Sequence, residues 1–134
     1  MDQQQKVILI EDDEFIRELY VSEMQNAGLI AEGYATGNEG LKALDSNRYD
    51  LALLDIMLPD TNGLEILKYI KQNPAIKDLK CVILTNLGQE EVIQEGFALG
   101  AHGYMIKANY NPDQVIAKVK EYLKGRIDTP PTNI

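Results

Sequence analysis

Short apolar runs recur along this chain, and each stops at a polar residue of a different kind. Val7-Ile8-Leu9-Ile10 stops at Glu11-Asp12-Asp13, Leu51-Ala52-Leu53-Leu54 at Asp55, Val82-Ile83-Leu84 at Thr85, and Tyr104-Met105-Ile106 at Lys107. Runs of this length without alternation read as strands buried on both faces of a parallel sheet. The segments between them carry the apolar spacing of helices. The first strand covers about residues 6–10, and a helix over about 14–27 places Phe15, Ile16, Leu19, Tyr20, Met24 and Ala27 on one face before Gly28. A shorter, less apolar strand over about 29–35 suits a sheet edge, and Thr36-Gly37-Asn38 opens a second helix carrying Leu41 and Leu44. The third strand, about 50–55, is the most apolar.

Leu58-Pro59-Asp60-Thr61-Asn62-Gly63 concentrates turn formers and reads as a loop. A third helix over about 64–72 ends before Asn73-Pro74, a fourth strand covers about 80–84, a fourth helix about 89–99, and a fifth strand about 102–106. Asn111-Pro112 opens a fifth helix with Val115, Ile116, Val119, Tyr122 and Leu123 on one stripe. The order is (βα)5. Right-handed crossovers make it a doubly wound three-layer α/β sandwich. The first and third strands must be neighbours if their acidic ends are to cooperate; spacing alone leaves the full order open. Residues 125–134, with Pro130-Pro131, show no period and read as a C-terminal tail or the start of a linker after a domain over 1–124.

At 134 residues the chain suits one domain, and 45% hydrophobic with 25% charged residues is ordinary for a globular one. A net charge of −8 argues against direct nucleic-acid binding. Cys81 is the only cysteine and lies within an apolar run, so it reads as a buried structural thiol, and with His102 the only histidine no ordinary zinc site can be assembled. No apolar stretch reaches membrane-spanning length and Met1-Asp2-Gln3-Gln4-Gln5 lacks a signal-peptide pattern, so a cytoplasmic protein without membrane contact is expected.

In an open parallel sheet the carboxyl ends of the strands line the ligand crevice. Acids, a hydroxyl and an amine should therefore meet at one edge. An isolated Asp55 would simply cap its loop. With Glu11 and Asp12 at the end of another central strand, three carboxylates would repel and be costly to bury. A hard divalent cation resolves this, and Mg2+ binds through one or two carboxylates, waters and a phosphate. Lys107 would neutralise carboxylate or phosphoryl charge, and the Thr85 hydroxyl could donate to a phosphoryl oxygen. Glu14, Arg17 and Glu18 read as the solvated face of the first helix, and Tyr104 as a packed aromatic.

Together, Ile-Leu-Ile-Glu-Asp-Asp at 8–13, Leu-Leu-Asp-Ile-Met-Leu-Pro-Asp-Thr-Asn-Gly at 53–63, Val-Ile-Leu-Thr at 82–85 and Gly-Tyr-Met-Ile-Lys at 103–107 resemble the receiver domain of two-component response regulators, of the chemotaxis-receiver kind, over nearly the whole chain. The resemblance implies a flavodoxin-like five-stranded parallel sheet of order 2-1-3-4-5. It implies Asp55 as the phosphoacceptor, Glu11, Asp12, Asp55 and the Met57 backbone carbonyl as the Mg2+ site, and Thr85 and Lys107 as the residues that hold the phosphoryl group. Tyr104 matches the aromatic switch acting with Thr85, and Gly63 the turn glycine entering the third helix. Two positions depart from the pattern: Asn86 stands where a small residue is usual, and Ala108 replaces the usual proline after the lysine.

The implied function is phosphorelay signalling. A phosphohistidine on a sensor histidine kinase or phosphotransfer protein passes its phosphoryl group to Asp55. The aspartyl phosphate then switches a surface of the fourth helix, fifth strand and fifth helix toward an output partner or a second copy. Such a protein catalyses only its own phosphorylation and dephosphorylation. The alternative is a receiver-like interaction module working without phosphorylation. A haloacid-dehalogenase-like phosphatase would want a second aspartate where Met57 stands, and the acids at 11–13 would repel the phosphate of a flavin.

Overall fold

The computed structural model describes residues 4–86 and 90–131. Five strands alternate with helices: β1 (Lys6–Ile10), α1 (Glu14–Asn26), β2 (Ile30–Tyr34), α2 (Gly37–Ser46), β3 (Leu51–Asp55), α3 (Gly63–Gln72), β4 (Lys80–Thr85), α4 (Glu90–Ala98), β5 (Gly103–Ile106) and α5 (Pro112–Leu123). A single 3₁₀ turn, Lys107–Asn109, joins β5 to α5, and no described peptide bond is cis. The expected start of the fourth helix at Gln89 lies outside the described residues, as do the first and last three residues of the chain.

The sheet is parallel throughout, in the order β2-β1-β3-β4-β5. This is the 2-1-3-4-5 flavodoxin-like arrangement, with the weakly apolar β2 at one edge and β5 at the other. Alternate side chains of the central strands enter two cores. Val7, Leu9, Leu51, Leu53, Val82 and Leu84 pack with Tyr20, Met24, Val115, Val119 and Tyr122 of α1 and α5. Ile8, Ile10, Ala52, Leu54, Cys81 and Ile83 pack with Leu44, Ile66, Leu67 and Ile70 of α2 and α3. Each such large side chain removed from water contributes about 1.5–3 kcal/mol, which is why the runs are apolar at every position rather than at every second one.

Side-chain caps place the helix starts beside the sheet's carboxyl edge. Asp13, Thr36 and Asn62 accept from the backbone N–H three residues on, and Asn111 forms a reciprocal capping box with Gln114. The third helix begins at Gly63, one residue before the sequence pattern suggests, because the Asn62 cap recruits Gly63 into its first turn. Asp60 also clamps α2, accepting from Gly37 N at 2.8 Å and Asn38 N at 2.9 Å.

Residues 126–131 do not run free of the domain. Asp128 N donates to His102 O at 2.8 Å, and Gln94 Nε2 of α4 donates to Pro131 O at 2.7 Å. Aperiodic sequence carries no sign of such docking, because its bonds are made to elements distant in the chain.

Candidate functional site

Sheet register sets the site. Ile10 pairs with Leu54, Asp55 with Leu84, and Thr85 with Ile106. Glu11 and Lys107, each one residue past its strand, therefore flank Asp55 at the same edge. Glu11, Asp12 and Asp55 each offer a carboxylate oxygen within 4.8 Å of the others. Glu11 is wholly buried, Asp55 buried and Asp12 exposed, so the cluster has a dry floor and a wet rim. The cleft is lined by Glu11, Asp12, Asp13, Ile16, Asp55, Met57, Asn86 and Lys107.

The Lys107 ammonium lies 2.5 Å from Glu11 Oε1 and 3.3 Å from Asp55 Oδ2. Asp55 Oδ1 accepts from Met57 N at 3.3 Å. Glu11 Oε2 accepts from Asp13 N at 3.2 Å, whereas the buried Oε1 accepts no hydrogen bond of good geometry despite the nearby ammonium. Burial, then the adjoining Glu11 carboxyl, pushes the Asp55 carboxyl up to about 7, against the opposing pull of Lys107 and the Met57 N–H. Burial alone would lower the Lys107 ammonium, but bonding and attraction to Glu11 and Asp55 outweigh it and leave it above its ordinary value.

An all-oxygen set of three converging carboxylates fits a hard divalent cation. Asp13 is committed elsewhere: its carboxylate accepts from Ile16 N at 3.0 Å and caps α1. Thr85 is buried at the end of β4, where its hydroxyl donates to Asn86 O at 3.3 Å; it does not line the cleft in this state, while Asn86 does. Tyr104 is half-buried, its ring edge-on to Phe97 of α4 at 6.0 Å between centroids.

The helical pattern misplaced Arg17. Its guanidinium is not simply solvated: Nη1 donates to Glu11 O at 2.9 Å and to Asp12 O at 3.3 Å, tying the acidic loop to α1. The only sequence signal was its position one turn after the acids. Cys81 is fully buried, as expected, and burial pushes its thiol up to about 12.

Known proteins share this arrangement of strands. Residues 7–120 match the model of the response regulator receiver domain. The chain is 31% identical to the regulatory protein VanRc of Enterococcus gallinarum, over 90% of this chain and 50% of that protein. It spans about half the length of the curated relatives it matches, another being the transcriptional regulatory protein ResD of Bacillus subtilis, at 32% identity over 96% of this chain and 53% of that one. Among solved structures, the chemotaxis response regulator CheY4 of Vibrio cholerae superposes with a TM-score of 0.82 at 29% identity, covering 90% of this chain and 99% of that one.

Proposed function

The chain belongs to the response regulator receiver domain family, and on that premise we propose that it accepts a phosphoryl group onto Asp55, in a Mg2+-dependent reaction, from the phosphohistidine of a sensor histidine kinase or phosphotransfer protein. Receiver domains are signalling phosphoacceptors rather than enzymes acting on a separate metabolite. The observation that carries the assignment is the Asp55 carboxylate. It closes a buried central strand, opens onto the cleft, and has the Lys107 ammonium 3.3 Å away.

In the transfer the bond from phosphorus to the histidine nitrogen breaks as the bond to an Asp55 carboxylate oxygen forms. The imidazole departs with the donor protein. Such transfers need positioning and charge neutralisation more than covalent assistance. Lys107 supplies one cation, already desolvated and oriented by Glu11. Glu11, Asp12, Asp55 and the Met57 carbonyl are the residues that would hold Mg2+, which when bound neutralises carboxylate and phosphoryl charge. Ionised Asp55 is the nucleophile, and a cation in the cluster favours that form over the protonated one.

Thr85 then exchanges the Asn86 carbonyl for a phosphoryl oxygen, and Tyr104 turns toward the space vacated. That pair biases the α4–β5–α5 face toward an output partner or a second copy. We assign residues 1–124 to the receiver domain and place it in the cytoplasm, without direct nucleic-acid or membrane binding. The net charge of −8 supports the lack of direct nucleic-acid binding, and among the described residues no helix is long and apolar enough to cross a membrane.

Incubation with acetyl phosphate and Mg2+ followed by intact-mass measurement tests the assignment. One phosphoryl group should add to the wild-type chain and none to Asp55→Asn. An equal mass gain in the variant would move the acceptor elsewhere.

A further inference from the structure

β5 is an edge strand, and the peptide groups it turns away from β4 would ordinarily be left to water or to a passing strand. Here those of Tyr104, and the His102 carbonyl just before the strand, are met from within the chain. After α5 the chain turns back, with Arg126 N on Glu121 O at 3.0 Å, and brings Asp128 against the open edge. Asp128 N donates to His102 O at 2.8 Å, and Asp128 Oδ2 accepts from Tyr104 N at 3.2 Å. The fully buried Tyr122 of α5 donates its hydroxyl to Asp128 Oδ2 at 2.5 Å and lies 3.2 Å from Tyr104 O. One aspartate thus takes the place of a strand residue, using its backbone for one bond and its carboxylate for the next.

Neighbouring residues secure it. Arg126 Nε donates to Asp128 Oδ1 at 2.8 Å while its Nη1 reaches Glu121 Oε1 at 2.7 Å. A side chain at position 103 would collide, since a Cβ on Gly103 would stand 2.7 Å from Asp128 Oδ2 and 2.5 Å from the Tyr122 ring. Across β5, Gln94 of α4 donates to Pro131 O at 2.7 Å. The segment therefore runs from α5 over β5 to α4. The Asp128 side chain is only 11% exposed, so its bonds are largely shielded from competing water.

We propose that residues 126–131 are an intramolecular strap on the α4–β5–α5 face, latched by Asp128, and that strap closure and phosphorylation of Asp55 oppose each other. This rests on the function proposed above. β5 connects the two sites: Tyr104, whose N–H is held by the latch carboxylate and whose carbonyl lies against the Tyr122 hydroxyl, lies three residues before Lys107, whose ammonium is shared between Glu11 and Asp55. A phosphoryl group on Asp55 gives Lys107 a new anion and draws on the end of β5. The strap also covers the face that an output partner would use, so the partner and the strap compete.

Two measurements on the full chain test this, using Asp128→Ala and the milder Asp128→Asn, each first checked by circular dichroism for an intact fold. In the unphosphorylated chain, hydrogen exchange at the Tyr104 amide should quicken about tenfold or more in Asp128→Ala, with Asp128→Asn between it and wild type. Coupling is reciprocal, so beryllofluoride, a phosphoryl mimic, should bind Asp128→Ala with Mg2+ about fivefold more tightly than wild type. Unchanged Tyr104 exchange would overturn the latch. Faster exchange with equal beryllofluoride affinity would overturn the opposition to phosphorylation. If wild type neither takes a phosphoryl group nor binds beryllofluoride, the proposed function falls and the opposition with it, while the exchange result still decides whether Asp128 holds the strap.

Discussion

Gly63→Ala is a small change aimed at the site's backbone. Gly63 opens α3, and its N–H donates to Ile56 O at 3.0 Å, which packs the helix start against the end of β3. An added Cβ would lie 2.5 Å from the Asp55 carbonyl oxygen, 3.1 Å from its carbon and 3.3 Å from Ile56 Cα. All three neighbours are main chain, so no rotamer change relieves the contact. Either β3's end or α3's start must move by roughly 1 Å to restore van der Waals spacing. Overpacking of this kind costs about 1–3 kcal/mol, offset by less than about 1 kcal/mol of helix propensity gained by alanine. At mid-range values the net loss is about 1.5 kcal/mol, which for a domain of this size lowers the melting temperature by roughly 4–8 °C. The displaced peptide carries the Asp55 side chain, and a misplacement near 1 Å can slow a positioned reaction by up to about 100-fold. Thermal unfolding and the rate of acetyl-phosphate labelling followed by intact mass are the assays. Gly96→Ala is the control: its Cβ would meet the Ile83 Cδ1 methyl, so a side-chain torsion stands between the contact and the main chain, as none does at position 63. Should Gly63→Ala melt with wild type, or lose less than Gly96→Ala, crowding against the main chain is not what position 63 avoids.

Further outcomes follow from the charges. Lys107→Ala leaves the buried Glu11 beside Asp55 without its cation. Because the cleft is open at Asp12, the cost should be near the lower end of the range for broken buried pairs, about 3 kcal/mol by urea unfolding, and a loss below about 0.5 kcal/mol would contradict the pairing. Mg2+ should raise the melting temperature of wild type by a few degrees on the order expected for weak ligand binding, and Asp12→Ala should abolish the gain; equal gains would remove Asp12 from the metal site. The Asp55 carboxyl is raised to about 7 in the folded chain, so the folded state binds its proton more tightly than the unfolded state does. That contribution is full below the ordinary carboxylate range and is lost as pH rises through about 7. Without Mg2+, the stability of wild type relative to Asp55→Asn should therefore fall between about pH 4 and pH 7, the span between ordinary and shifted values; a rise would show that attraction to Lys107 outweighs burial.

Much of this molecule is legible in its sequence because the signals for its strands and helix starts are local. Apolar runs such as Leu51–Leu54 specify strands buried on both faces whichever helices cover them, and Asn111-Pro112 carries its own start signal for α5. The sequence alone places Glu11, Asp55 and Lys107 at one edge, since each ends or follows a parallel strand and parallel strands share one carboxyl edge. Other features depend on distances that no local pattern encodes. The Asp13 carboxylate caps α1, leaving Glu11 and Asp12 to face Asp55; the resemblance singles out that pair, but the bond that commits Asp13 to the helix start exists only once α1 has formed. Arg17 sits in a helical pattern like any solvated residue, yet reaches back to the Glu11 carbonyl because α1 packs beside β1. Thr85 ends its strand as expected, but its hydroxyl donates to the Asn86 main-chain oxygen, while Asn86 lies on the cleft. Residues 126–131 have no period at all. Their docking is a matter of tertiary structure alone, because an edge strand's unpaired peptide groups take whatever donors and acceptors the folded chain brings within reach, and here Asp128 is brought there by the end of α5.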